Sequence, residues 1–214
     1  MATTSDLVDA LVGDLTPAPR AWVARRLALG FAGGAALAAM AVFWLWGLRP
    51  DLATAVATGS FWVKLGYPGC LALAGLAAVN RLARPDGRER QALGVAAAIV
   101  TAMIVLALIQ LLRAPEAARA GLVMGSTAAS CPWLVMTLSI PIFAGGTWAV
   151  RAMAPTCLNC AGAALGWASG ALAAFVYSLS CDEPAMPFVL VWYSLGIIAP
   201  IVFGFATGRR LLRW

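Results

Sequence analysis

Residues 81–112 read RLARPDGRERQALGVAAAIVTAMIVLALIQLL. Two kinds of chemistry meet in this stretch. Arg81, Arg84, Arg88 and Arg90 crowd its first part, and the run from 92 to 112 carries no charge and is rich in Ala, Leu, Ile and Val. About 20 apolar residues in a helix cross a hydrocarbon layer roughly 30 Å thick. The run is therefore read as a membrane-spanning helix. Arginine-rich short loops stay on the cytoplasmic side, so the 81–90 loop marks the inner face.

The same pattern repeats on both sides of it. Apolar runs at 27–48, 61–80, 132–150, 161–179 and 186–208 are read as five more spans. Arg20, Arg25 and Arg26 precede the first span, Arg151 follows the fourth, and Arg209, Arg210 and Arg213 follow the sixth. The segments assigned outside hold only Arg49, Arg113 and Arg119. The expected fold is all-α and polytopic, with six transmembrane helices and both termini cytoplasmic. Residues 1–26 form a cytoplasmic segment and residues 27–214 the transmembrane domain. The expected location is a bacterial inner membrane, with the lipid bilayer as a partner.

Composition agrees. The chain of 214 residues is 62% hydrophobic and 11% charged, against about a quarter charged in soluble domains. The net charge of +6 is distributed as the positive-inside rule requires, so nucleic-acid binding is not expected. The first apolar run exceeds the ~7–15 residues of a signal-peptide core and is read as a retained anchor. There is no histidine, which removes the commonest general base and metal ligand.

Within the spans, Gly30 with Gly34, and Gly162, Gly166 and Gly170, form small-residue faces suited to close helix packing. Lys64 is expected to snorkel toward the outer interface. Pro68 is expected to kink the second span, and Cys70 to act as a small packing residue. The stretch from Ala120 to Ala129 is read as lying along the outer interface.

Leu7, Val8, Leu11, Val12 and Leu15 recur at helical spacing, with Asp6, Asp9 and Asp14 among them. Thr4 or Ser5 can cap such a helix, and Thr16-Pro17-Ala18-Pro19 ends it. A membrane-surface helix wants Lys and Arg on its polar face. These acids favour docking of the apolar stripe into a partner's groove. The competing reading is a tail that frays alone.

Five cysteines remain. Cys157 and Cys160 form a C-x-x-C at the inner end of the fifth span. With no histidine and no second inner pair they cannot complete a four-ligand zinc site, and they are expected to be reduced thiols in the cytoplasm. Cys131 and Cys181 flank the fourth and fifth spans on the outer face. Two readings stand open for them: a structural disulfide, or a sensor. Asp182 and Glu183 follow Cys181 directly. Carboxylate oxygens beside soft sulfur would suit a thiophilic cation such as Cd²⁺.

No H-E-x-x-H, G-x-S-x-G or phosphate-binding glycine loop is present, and no enzyme is expected. A transporter would place polar groups at the midplane, and no convincing set is seen.

A resemblance is carried by Ala161-Gly162 to Gly170, Tyr177, Cys181, Trp192-Tyr193 and the ending Gly208-Arg209-Arg210-Leu211-Leu212-Arg213-Trp214. With the Leu7–Leu15 stripe and the six-span layout, these resemble the NrsF-type negative regulators of extracytoplasmic-function sigma factors. The resemblance implies a membrane tether that holds a sigma factor inactive and releases it under heavy-metal or oxidative stress. It implies sensor thiols at Cys131 and Cys181, which would also be the ligands of any transient metal; Asp182 and Glu183, by their place beside Cys181, would be accessory ligands. No resident cofactor is implied. It places sigma docking on Leu7, Val8, Leu11, Val12, Leu15, Asp6 and Asp9, with Asp14 and the loop residues Arg84, Arg88 and Arg90 adding contacts. No oligomeric state is read from the sequence. The alternatives are a quinone-linked membrane thiol oxidoreductase and, more remotely, a small-solute transporter.

Overall fold

In the computed structural model, residues 12–13, 21–84 and 90–213 are described. Six helices among them are long and apolar enough to cross a membrane: α1 (Trp22–Leu45), α3 (Gly59–Leu82), α4 (Arg90–Arg113), α6 (Cys131–Val150), α7 (Leu158–Tyr177) and α8 (Met186–Leu211). Two short helices, α2 (Leu52–Ala55) and α5 (Glu116–Met124), lie in the connections. No strand occurs among the described residues.

The spans fall where the apolar runs predict them, except that α1 starts five residues before Leu27. The cause is Arg26. Its guanidinium stacks 4.3 Å from the Trp148 ring and donates to the Ala149 and Trp148 carbonyls at 3.2 and 3.3 Å. The charge thus finds partners at the end of α6, and the helix need not begin beyond it. At its far end α1 stops at Gly47, whose φ of +73° and N–H bond to the Val42 carbonyl at 3.0 Å make a left-handed helix stop. Helix α3 runs unbroken through Pro68.

Helix α7 is the most enclosed of the six. It packs chiefly against α8 and α3, and then α6, while α1 packs on α6. Glycine is what permits this. A Cβ added at Gly170 would lie 2.7 Å from the Pro200 ring and 3.0 Å from Ile197 Cα, and Cβ atoms at Gly162 and Gly166 would overlap the backbone carbonyls of Gly204 and Pro200. Gly30 and Gly34 meet Gly145 and Ile142 of α6 in the same way. Both small-residue faces read from the sequence are therefore helix contacts.

One end of the bundle gathers Trp22, Arg26, Arg151 and Leu211, with Arg81 donating to Gln91 at 2.7 Å across the α3–α4 turn. The opposite end gathers the connections around Arg49, Cys131 and Cys181.

Candidate functional site

The Cys181 segment follows the last turn of α7, where the Cys181 N–H still donates to the Tyr177 carbonyl at 3.1 Å. Beyond that turn the chain cannot form its own ladder, because Pro184 lacks an N–H and α8 starts only at Met186. Its polar groups are satisfied by other elements instead. The Ser180 hydroxyl donates to the Gly47 carbonyl. Lys64 of α3 donates its ammonium to the Cys181 carbonyl. Asp182 lies 3.8 Å from Arg49. Glu183 accepts from both the N–H and the hydroxyl of Ser126, each at 2.6 Å. The Met186 N–H donates to Gln110 of α4 at 2.8 Å. Residues 180–186 are therefore tied to the α1–α2 connection, α3, the α5–α6 connection and α4 at once.

Cys131 begins α6, with its N–H on the Thr127 carbonyl at 2.9 Å and Pro132 in the first turn, where a missing N–H costs nothing. Cys131 and Cys181 are both buried and both unbonded. They lie near each other and near Tyr177 and Tyr193 in the buried core, and the two tyrosine rings are 6.0 Å apart. Tyr193 is on a wider, π-helical turn of α8 (Val189–Tyr193), a feature often found at functional sites. Its hydroxyl is buried with no hydrogen-bond partner.

Electrostatics at the surface of this site centre on Arg49. Its Nε and Nη2 each donate to Asp51 at 2.7 Å. That pairing holds the Asp51 carboxyl below the usual carboxylate range and, with the same bond as main cause, raises the Arg49 guanidinium further.

Several expectations are corrected here. Lys64 does not snorkel: it is 1% exposed and turned inward onto Cys181. The signal was present, since Phe61, Lys64, Tyr67, Leu71, Ala74 and Ala78 fall on one helical stripe, all of it buried. Cys70 is exposed on the outside of α3, not packed, because it lies off that stripe. Cys157 and Cys160 are joined in a disulfide and are not two free thiols. Helix α7 begins between them, and a turn of helix brings residues three apart together. Tyr193 and Tyr177 enter the site although only their place in a resemblance had singled them out.

Other predicted residues stand as follows. Asp182 and Glu183 are engaged by Arg49 and Ser126. Among the described residues no group of three or more Cys, Asp or Glu side chains is placed to hold a metal ion. Leu7, Val8, Leu11, Leu15, Asp6, Asp9 and Asp14 lie outside the described residues, as does Arg88. Val12 is described and exposed, and Arg84 and Arg90 are exposed near one end of the bundle.

The family whose description is "Negative regulator of sigma F" (NrsF) matches residues 11–214. The chain belongs to the NrsF family. Among its NrsF relatives, the Anti-sigma-F factor NrsF of Caulobacter vibrioides (strain NA1000 / CB15N) is 40% identical over 213 residues, covering 99% of each chain. The Probable anti-sigma-F factor NrsF of Azospira oryzae is 37% identical over 211 residues, again covering 99% of each. No solved structure matches this NrsF chain.

Proposed function

We propose that this NrsF-family chain is an inner-membrane anti-sigma factor. It would hold an extracytoplasmic-function sigma factor at the cytoplasmic face and release it when heavy metal or oxidant reaches Cys131 and Cys181. The full-length similarity to proteins named anti-sigma-F factors supports the regulatory role over an enzymatic one. The observation that carries the signalling half is the grip on residues 180–186. A change at the Cys181 thiol strains a segment bonded to four other elements, so it can bias the packing of the whole bundle. Two free thiols in one buried cluster offer soft ligands to a cation such as Cd²⁺. They can also lose two electrons and two protons to a disulfide oxidant, forming one S–S bond as the oxidant's own is reduced to two thiols.

The arginine-rich end faces the cytoplasm in this reading, which places the leading segment beside its partner. Leu7, Val8, Leu11, Val12 and Leu15 would dock the sigma factor, with Asp6 and Asp9 meeting basic residues on it. The ligand or oxidant must favour the released state, because one with equal affinity for both states shifts nothing. A coupling of about 1–3 kcal/mol changes partner affinity about 5- to 150-fold.

The test is co-purification from cells of the detergent-solubilised full chain with its sigma factor. The sigma factor is expected to come down with the chain and to leave on added Cd²⁺. The Cys131→Ser, Cys181→Ser double variant is expected to keep the sigma factor and ignore the metal. A double variant that still releases it would remove the sensor role from these thiols. A chain that never retains a sigma factor would end the reading altogether.

A further inference from the structure

A groove of about 960 Å³ runs along the outside of α6 and α8. It extends from Arg151 to Trp133, nearly the whole of α6, or roughly 27 Å at about 1.5 Å per residue. Its body is apolar: Ile140, Phe143 and Phe203 line it, and the two phenyl rings meet edge to face at 5.6 Å. One end is different. Arg26 and Arg151 both line it there.

These two guanidiniums are held in place by backbone carbonyls. Arg26 spends Nε and one Nη2 proton on the Ala149 and Trp148 carbonyls and stacks on Trp148. Arg151 spends Nε on the Leu211 carbonyl. Among the described residues neither pairs with a carboxylate. Three Nη protons of Arg26 and four of Arg151 remain as donors. Just below them Thr147 lines the groove, although its own hydroxyl is buried there without a hydrogen-bond partner.

We propose that this groove binds an anionic phospholipid, with the phosphate between Arg26 and Arg151 and an acyl chain along Phe143 and Phe203. The arrangement matches an amphiphile: two fixed cations at one end, an apolar channel of acyl length beyond. The groove lies on helices long enough to cross a bilayer, so the lipid reaches it laterally. Arginine suits the headgroup because its planar fork meets two phosphate oxygens together. Backbone carbonyls hold each fork in advance, so little ordering remains to be done on binding. The site is distinct from the thiol cluster and does not depend on the proposed sigma-factor role.

Native mass spectrometry of the full-length chain in neutral detergent tests it, with phosphatidylglycerol and phosphatidylcholine of the same acyl chains. The wild type is expected to retain phosphatidylglycerol in preference. Each of Arg26→Gln and Arg151→Gln is expected to weaken that retention about fivefold, and Arg26→Lys and Arg151→Lys to weaken it less, because lysine keeps the charge and loses the fork. Ala144→Trp, which fills the groove and leaves both arginines, is expected to weaken it as well. Equal retention of the two lipids by the wild type overturns the proposal, and this arm needs no variant to fold. It is overturned too if millimolar inorganic phosphate displaces the lipid and Ala144→Trp has no effect, since the site then takes a free anion.

Discussion

Lys64 sits with its ammonium on a backbone carbonyl, not on a carboxylate, and that makes its role readable by mutation. A buried carbonyl that loses its donor costs about 1–3 kcal/mol, so Lys64→Met is expected to lower the unfolding midpoint. It should also free the Cys181 segment, and Cys181 should be alkylated several-fold faster than in the parent chain. Unchanged midpoint and unchanged alkylation would show that Lys64 does not hold this segment. Arg49 and Asp51 make a second prediction. The folded-state pKa of Asp51 is depressed, so its contribution is present above the unfolded value of about 4. It fades as pH falls through the lower, folded value. Arg49→Gln removes the cause, so the variant should lose less stability than the parent as pH falls below about 4. Unfolding curves over that range measure the difference, which is small because Asp51 is exposed.

At the scale of elements, the bundle depends on glycines whose neighbours are backbone atoms. A methyl at Gly166 would meet the Pro200 carbonyl, whereas one at Gly33 would meet nothing within 4 Å. Gly166→Ala is expected to cost about 1–3 kcal/mol by overpacking, and Gly33→Ala to be neutral or slightly stabilising, as alanine favours helix. Thermal unfolding of the two variants in one detergent separates them; equal midpoints would mean α7 and α8 can part without penalty. These faces were legible beforehand because small residues spaced by four make a bare stripe. Their partners were not, since nothing in Gly162-x-x-x-Gly166 says that Pro200 and Gly204 lie opposite. The thiol cluster was half legible. Cys131 and Cys181 follow from their places beside apolar runs, but Lys64 was misread as snorkelling because its nearness to a helix end outweighed its place on the Phe61–Tyr67–Leu71 stripe.

For the whole molecule, sidedness decides whether sensor and output can lie on opposite faces. Cys131 and Cys181 are buried, so direct labelling in intact cells tests their accessibility and not their side. Introduced cysteines at exposed positions do better. Ala117→Cys in α5 is expected to take an impermeant maleimide from outside, and Ala154→Cys at the arginine-rich end to take it only after lysis. The reverse result would invert the proposed direction of signalling. Removal of residues 1–15 is expected to free the sigma factor; continued retention would move docking onto the exposed arginines of the loops.

Hydropathy alone determined where six helices long and apolar enough to cross a membrane would fall, because the cost of burying charge in hydrocarbon depends on local composition. The tertiary structure alone decided which side chains meet. It turned Lys64 inward, left Cys131 and Cys181 unbonded beside two tyrosines, joined Cys157 to Cys160, and put Arg26 and Arg151 on the lining of one groove. Each outcome depends on how helices distant in sequence rotate about their axes, and their close-packed contacts fix that rotation only when all six are assembled.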